Sequence, residues 1–163
     1  MADFVDPATG IFVEDAFRHL LSREAERATR YQDFFSVCLV RPDARAEGMG
    51  QDLHHAVSRK IAQFLRSTDV VGRMDDGIAI LLLHTEGGDA ARVAERVRAH
   101  IEQVAFLANT GGPRQVTLSM GGVSFPRDGY NDKILLSRAQ AHVNEAVRQG
   151  GNRVVHAAAE SRR

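Results

Sequence analysis

Two hydrophobic periods alternate along the chain, and the changes from one to the other mark its elements. Val13, Phe17, Leu20, Leu21 and Ala28 share one face of a 3.6-residue repeat with charged residues opposite. That predicts an amphipathic helix after the turn sequence Asp6-Pro7-Ala8-Thr9-Gly10. Phe34 to Val40 is a short unbroken apolar run, suited to a buried strand, and residues 41–50 read as a loop. Leu53, Val57, Ile61, Phe64 and Leu65 predict a second helix ending near Arg66. The β-rich runs 69–74 and 78–83 flank Asp75-Asp76-Gly77, and Asp-Gly between such runs is a strong hairpin signal. Val93, Ala94, Val97, Ile101 and Val104 give a third helix, followed by a loop over 108–114. Residues 115–126 read as one long strand, or two joined at Gly121-Gly122. A fourth helix spans 130–152, with Asp132 near its start and Gly150-Gly151 at its end, and 153–157 form a last short strand.

The order α-β-α-β-β-α-β-α-β predicts an α/β (α+β) fold, a central mixed sheet with helices packed over it. No repeat, low-complexity segment or linker interrupts the pattern. The expectation is one domain over residues 1–163, with its core at about 6–156 and a frayed tail at 157–163.

Composition narrows the function classes. The 163 residues carry a net charge of +0, so no global field steers the chain onto nucleic acid or an acidic membrane. No run is apolar and long enough for a transmembrane helix, and residues 1–6 lack the basic start of a signal peptide. The single cysteine, Cys38, lies within an apolar run, which excludes an internal disulfide and fits a reducing cytoplasm. The histidines are scattered. His54 and His55 are adjacent and would point about 100° apart on a helix, so no metal site is expected.

Five short motifs stand out in order: Asp6-Pro7-Ala8-Thr9-Gly10, Ser67 to Met74, Ala94 to Arg98, Val116 to Gly129, and Gly150 to Val155. Together they resemble the GGDEF domain, the diguanylate cyclase module of bacteria, over nearly the whole chain. The resemblance implies a palm-like sheet of about five strands flanked by helices. Its chemistry would be the joining of two GTP molecules into cyclic di-GMP, which needs carboxylates to hold metal ions against the triphosphate.

At the positions the resemblance assigns to that chemistry, this chain carries other residues. The name-giving turn is Asp75-Asp76-Gly77-Ile78-Ala79, so its metal-holding acid is Gly77 and the next acid is Ile78. The first-strand carboxylate falls on Arg41, although Asp43 matches a family acid. The following loop is several residues short of the guanine-reading segment, and Gln51-Asp52 only approximates an acid there. The phosphate-binding lysine and a nearby arginine fall on Val147 and Gly151. No catalytic residue and no cofactor are therefore expected, and Asp75 and Asp76 read as solvated turn residues.

A second family site is retained. Its pattern, Arg-x-x-Asp at a fixed distance before the turn, is present as Arg66 and Asp69, and the resemblance adds Arg96 from the third helix. A guanidinium can donate two hydrogen bonds to guanine O6 and N7, and a carboxylate can accept from the opposite edge. The sequence thus suggests an inactive, cytoplasmic signalling domain that binds cyclic di-GMP through Arg66, Asp69 and Arg96. The alternative is a module that dimerises or docks on a partner protein without nucleotide.

Overall fold

The computed structural model describes residues 4–43, 50–75, 77–107 and 112–157. Four helices, α1 (Glu14–Tyr31), α2 (Gln51–Phe64), α3 (Gly87–Gln103) and α4 (Asp132–Arg148), flank a five-stranded sheet. Its strands are β1 (Phe35–Asp43), β2 (Val70–Met74), β3 (Gly77–Leu83), β6 (Thr117–Phe125) and β7 (Arg153–His156), in the spatial order β2-β3-β1-β6-β7. Every pairing is antiparallel except β6 with β7, so the sheet is mixed, as the element order implied. Two further strands, β4 (Phe106–Leu107) and β5 (Pro113–Arg114), pair into a small separate ribbon.

Alternation along β1 divides the core in two. Cys38 and Val40 point with Ile78, Ile80, Leu82, Leu118 and Met120 into a cluster that includes Val57 and Ile61 of α2 and Ala94, Val97 and Ile101 of α3. Phe35, Val37 and Leu39 point the other way, with Leu81 and Val123, toward Phe17 and Leu21 of α1 and Leu135, Ala139 and Val143 of α4. Period-two alternation in a strand covered on both faces produces this split. Gly121 makes the close fit of α4 possible, because a β-carbon there would lie 2.3 Å from the Ala139 carbonyl oxygen.

Local chemistry sets the boundaries. The Asn131 side chain caps α4 by accepting from the Ile134 N–H, one residue before the expected Asp132. The Asp6 carboxylate accepts from the Ala8 N–H, Gly10 is left-handed at φ 75°, and the arm then lays Phe12 against β2, bonded to Val71 and Arg73. That arm covers the exposed edge of the sheet.

Several sequence expectations change. Arg41, Pro42 and Asp43 belong to β1 rather than to a loop. Pro42 is tolerated because β3 pairs with β1 only as far as Val40, so its missing N–H costs no ladder bond on that side. Residues 117–125 form one strand through Gly121-Gly122. Pro113 and Arg114, read as loop, form β5. Val13 and Leu20 flank the buried face of α1 and are half-buried, whereas Phe17, Leu21, Ala25 and Ala28 are buried. The readings at Asp76, at the loops over 44–49 and 108–111, and at the tail over 158–163 lie outside the described residues. Among the described residues, no helix is long and apolar enough to cross a membrane.

Candidate functional site

Two places carry the residues singled out by the sequence. The first is the tip of the β2–β3 hairpin. Asp75 adopts a left-handed backbone at φ 50°, as a tight hairpin turn requires, and its side chain is 70% exposed. Its N–H donates to Glu14 Oε1 at 2.6 Å, and Arg18 of α1 lies 3.7 Å from its carboxylate. The turn is thus tied to α1. Gly77 lies so close to β1 that a β-carbon would stand 2.3 Å from the Val40 carbonyl oxygen.

Beside the hairpin is a cleft of about 150 Å³ lined by residues that include Arg41, Asp75, Gly77 and Gln140. Arg41 is exposed at its edge. Asp43, the acid that the resemblance retains, is occupied. Its Oδ1 accepts from Ser119 Oγ at 2.6 Å, and its Oδ2 accepts from Thr117 Oγ1 at 3.0 Å and the Asn152 N–H at 2.8 Å. The carboxylate joins the end of β1 to β6 and to the turn before β7. Among the described residues, no cluster of three or more His, Cys, Asp or Glu could hold a metal ion.

The second place lies between the α2–β2 loop, the end of β3 and α3. Arg66, Asp69 and Arg96 line one cleft of about 480 Å³, within the range of small-molecule sites. The chain turns tightly after α2, with the Asp69 N–H donating to the Arg66 carbonyl at 3.0 Å. Asp69 Oδ2 accepts from the Arg66 N–H at 3.0 Å, so the carboxylate caps its own turn. The side chain is only 3% exposed. Its Oδ1 is buried without a hydrogen bond to any described residue, and the Arg66 guanidinium stands off at 3.6 Å, close enough for Coulomb attraction but too far for a bond. Arg66 itself is 66% exposed and free to turn outward.

Arg96 lies over the Phe64 ring at 5.7 Å, and Phe64 stacks on His100 at 4.5 Å. This column of cation and rings fixes the guanidinium at the cleft wall. The sequence reading missed Arg92, one helical turn before Arg96, and His84 and Thr85 at the end of β3, all of which line the cleft. The four-residue spacing from Arg96 could have pointed to Arg92. Arg92 pairs with Asp89. Three arginines face two aspartates, so the cleft favours an anionic guest.

Comparison with known proteins agrees with this architecture. The family model described as diguanylate cyclase, GGDEF domain, matches residues 3–153. The diguanylate cyclase DosC of Escherichia coli K12 is 28% identical over 144 residues, covering 83% of this chain and 31% of DosC. The chain spans less than a third of the length of the curated relatives it matches first. Among solved structures, the GGDEF domain of PA1120 (TpbB or YfiN) from Pseudomonas aeruginosa superimposes with a TM-score of 0.83 at 24% identity, covering 97% of each chain. The GGDEF domain of DgcB from Caulobacter crescentus, crystallised with c-di-GMP, gives 0.82 at 18% identity, covering 96% of this chain and 94% of that one. These two likenesses concern the fold. With the mixed five-stranded sheet, the four flanking helices and the family match across residues 3–153, the chain belongs to the GGDEF domain family.

Proposed function

We propose that this chain is a single, catalytically silent GGDEF domain that acts as a receptor for cyclic di-GMP, bound through Arg66, Asp69 and Arg96. The observation that carries the reading is Asp69, a nearly buried carboxylate with one oxygen lacking a hydrogen bond, at the wall of an arginine-lined cleft. A buried acceptor without a donor costs about 1–3 kcal/mol, and a guest that supplies donors recovers that cost. The guanine N1–H and amino group are such donors once Arg66, exposed but standing 3.6 Å from that buried oxygen, swings outward, where it can meet O6 and N7 of a second base. DgcB, which shares the fold, was crystallised with this ligand.

Silence in catalysis rests on the hairpin end. Arg41 brings positive charge to the place where the family holds a cation, Gly77 has no side chain, and Asp43 is bonded to three donors. Val147 and Gly151 supply no charge for a triphosphate. Incubation with GTP and magnesium or manganese, followed by chromatography, should yield no cyclic di-GMP. Arg66→Ala should weaken cyclic di-GMP binding roughly 5- to 150-fold, the equivalent of losing one bidentate contact of ~1–3 kcal/mol. Turnover that follows the protein through purification and disappears in Asp43→Ala would overturn the first statement. Unchanged affinity in Arg66→Ala would overturn the second.

A further inference from the structure

His84 stands at the cleft in an unusual setting. It follows the last residue of β3 with a left-handed backbone at φ 51°, uncommon among non-glycine residues although histidine adopts it more readily than most. Its ring is 66% exposed, meets Phe34 edge-on at 6.3 Å, and places Nδ1 3.2 Å from Asp33 Oδ1. Asp33 is itself fixed. Its Oδ2 accepts from Arg27 at 2.6 Å, and its Oδ1 accepts from the Phe34 N–H at 2.8 Å. The Arg27 bond, helped by Phe34, holds that carboxyl below its ordinary range, so it stays ionised. With Nδ1 engaged, Nε2 is the nitrogen left for a guest, and no described residue bonds it.

We propose that His84, oriented by Asp33, is a proton-linked contact for a phosphodiester of the anionic ligand in the Arg66–Asp69–Arg96 cleft. The inference rests on the receptor reading and adds to it a residue and a regulation: ligand binding takes up a proton. Asp33 on Nδ1 fixes the tautomer, and a phosphate oxygen on Nε2 makes a second ring proton favourable. The charged groups around the ring are Asp33 and Arg27 at the end of α1, Arg66 and Asp69 before β2, and Asp89, Arg92 and Arg96 on α3. Between about pH 5.5 and 8 an imidazole changes charge while carboxylates and guanidiniums ordinarily do not. His100, stacked on Phe64 behind Arg96, is the other imidazole near the cleft and is tested separately.

The experiment is calorimetric titration with cyclic di-GMP at about pH 5.5, 6.5 and 8. Wild type should bind roughly 3- to 10-fold tighter at the lowest pH than at the highest, the scale of one charge-assisted bond at a half-open site. His84→Asn should flatten the profile, binding no tighter at the lowest pH than at the highest. Asparagine is chosen because it tolerates the left-handed backbone. Asp33→Asn should still bind, with its profile displaced to lower pH, a shift that a merely structural role would not produce. His100→Gln should keep the wild-type slope. Binding without a pH slope, a slope unchanged in His84→Asn, or a slope abolished by His100→Gln would overturn this inference and leave the receptor reading standing. Absence of binding at every pH would overturn both.

Discussion

Returning an acid to the hairpin should damage the fold rather than revive an enzyme. An ideal β-carbon on Gly77 would lie 2.3 Å from the Val40 carbonyl oxygen, 1.1 Å short of the 3.4 Å at which ordinary contact begins. Val40 cannot give way. It is 2% exposed and sits in the central strand, paired with Ile78 on one side and Met120 on the other. The hairpin tip must therefore move by roughly an ångström, which also disturbs its tie to Glu14 and Arg18. Overpacking of this kind typically costs about 1–3 kcal/mol. Loss of glycine's freedom in the unfolded chain offsets up to about 1 kcal/mol. A net cost of about 1–2 kcal/mol in a chain of this size corresponds to a fall in Tm of roughly 3–8 °C. Gly77→Ala isolates the contact and Gly77→Asp adds the missing acid, so the two should melt alike by circular dichroism. Gly77→Asp combined with Arg41→Asp should still make no cyclic di-GMP from GTP and magnesium. A Gly77→Ala protein that melts at or above wild type would refute the close approach, and turnover by the double variant would refute the expectation that Val147 and Gly151 keep the chain silent once both acids are restored.

Three other expectations follow from groups held by burial or by hydrogen bonds. Burial holds the His156 imidazole down at about 4, against 6.5 in an unfolded chain. Between those values the folded protein binds fewer protons at this ring than the unfolded chain does, so its contribution is full above about pH 6.5 and is lost as pH falls toward 4, by about 3 kcal/mol at most. Urea midpoints should drop between pH 7 and 5, and His156→Gln should remove most of the drop; an equal drop in the variant would assign it elsewhere. Asp43→Ala should cost about 2–4 kcal/mol by leaving Thr117, Ser119 and the Asn152 N–H without their acceptor. A Tm like that of wild type would contradict its role as an anchor. Burial pushes the Cys38 thiol up to about 12, so alkylation by iodoacetamide should proceed only at the rate of unfolding, and fast labelling of native protein would refute this burial.

The main elements were legible because each carries a period that matches its surroundings. Helix faces such as Val57, Ile61 and Val97 are buried where the repeat placed them, and Asp75 turns the chain between two β-rich runs. What escaped depends on contacts between distant segments. Arg41 to Asp43 looked like loop because Pro42 and two charges break the apolar run, yet β6 still pairs with all three residues. The ribbon of β4 and β5 is two residues wide, below the length at which any period can show. The Arg66, Asp69 and Arg96 set was readable as a motif, and the fold brings all three to one cleft. His84 and Asp33 were not readable, since they are 51 positions apart and meet only through the ends of α1 and β3. The fate of Asp43 was equally hidden, because its partner Asn152 lies 109 residues away.

Calorimetric titration of wild type and Asp69→Ala with cyclic di-GMP and with cyclic di-AMP tests the receptor reading most directly. Adenine has neither the N1–H nor the 2-amino group of guanine, the donors the Asp69 carboxylate would accept, so wild type should bind the guanine ligand and discriminate against the adenine one. Asp69→Ala should lose that discrimination while remaining folded. Wild-type protein that gives no heat with cyclic di-GMP at several hundred micromolar, or Asp69→Ala that keeps full preference for guanine, would contradict it.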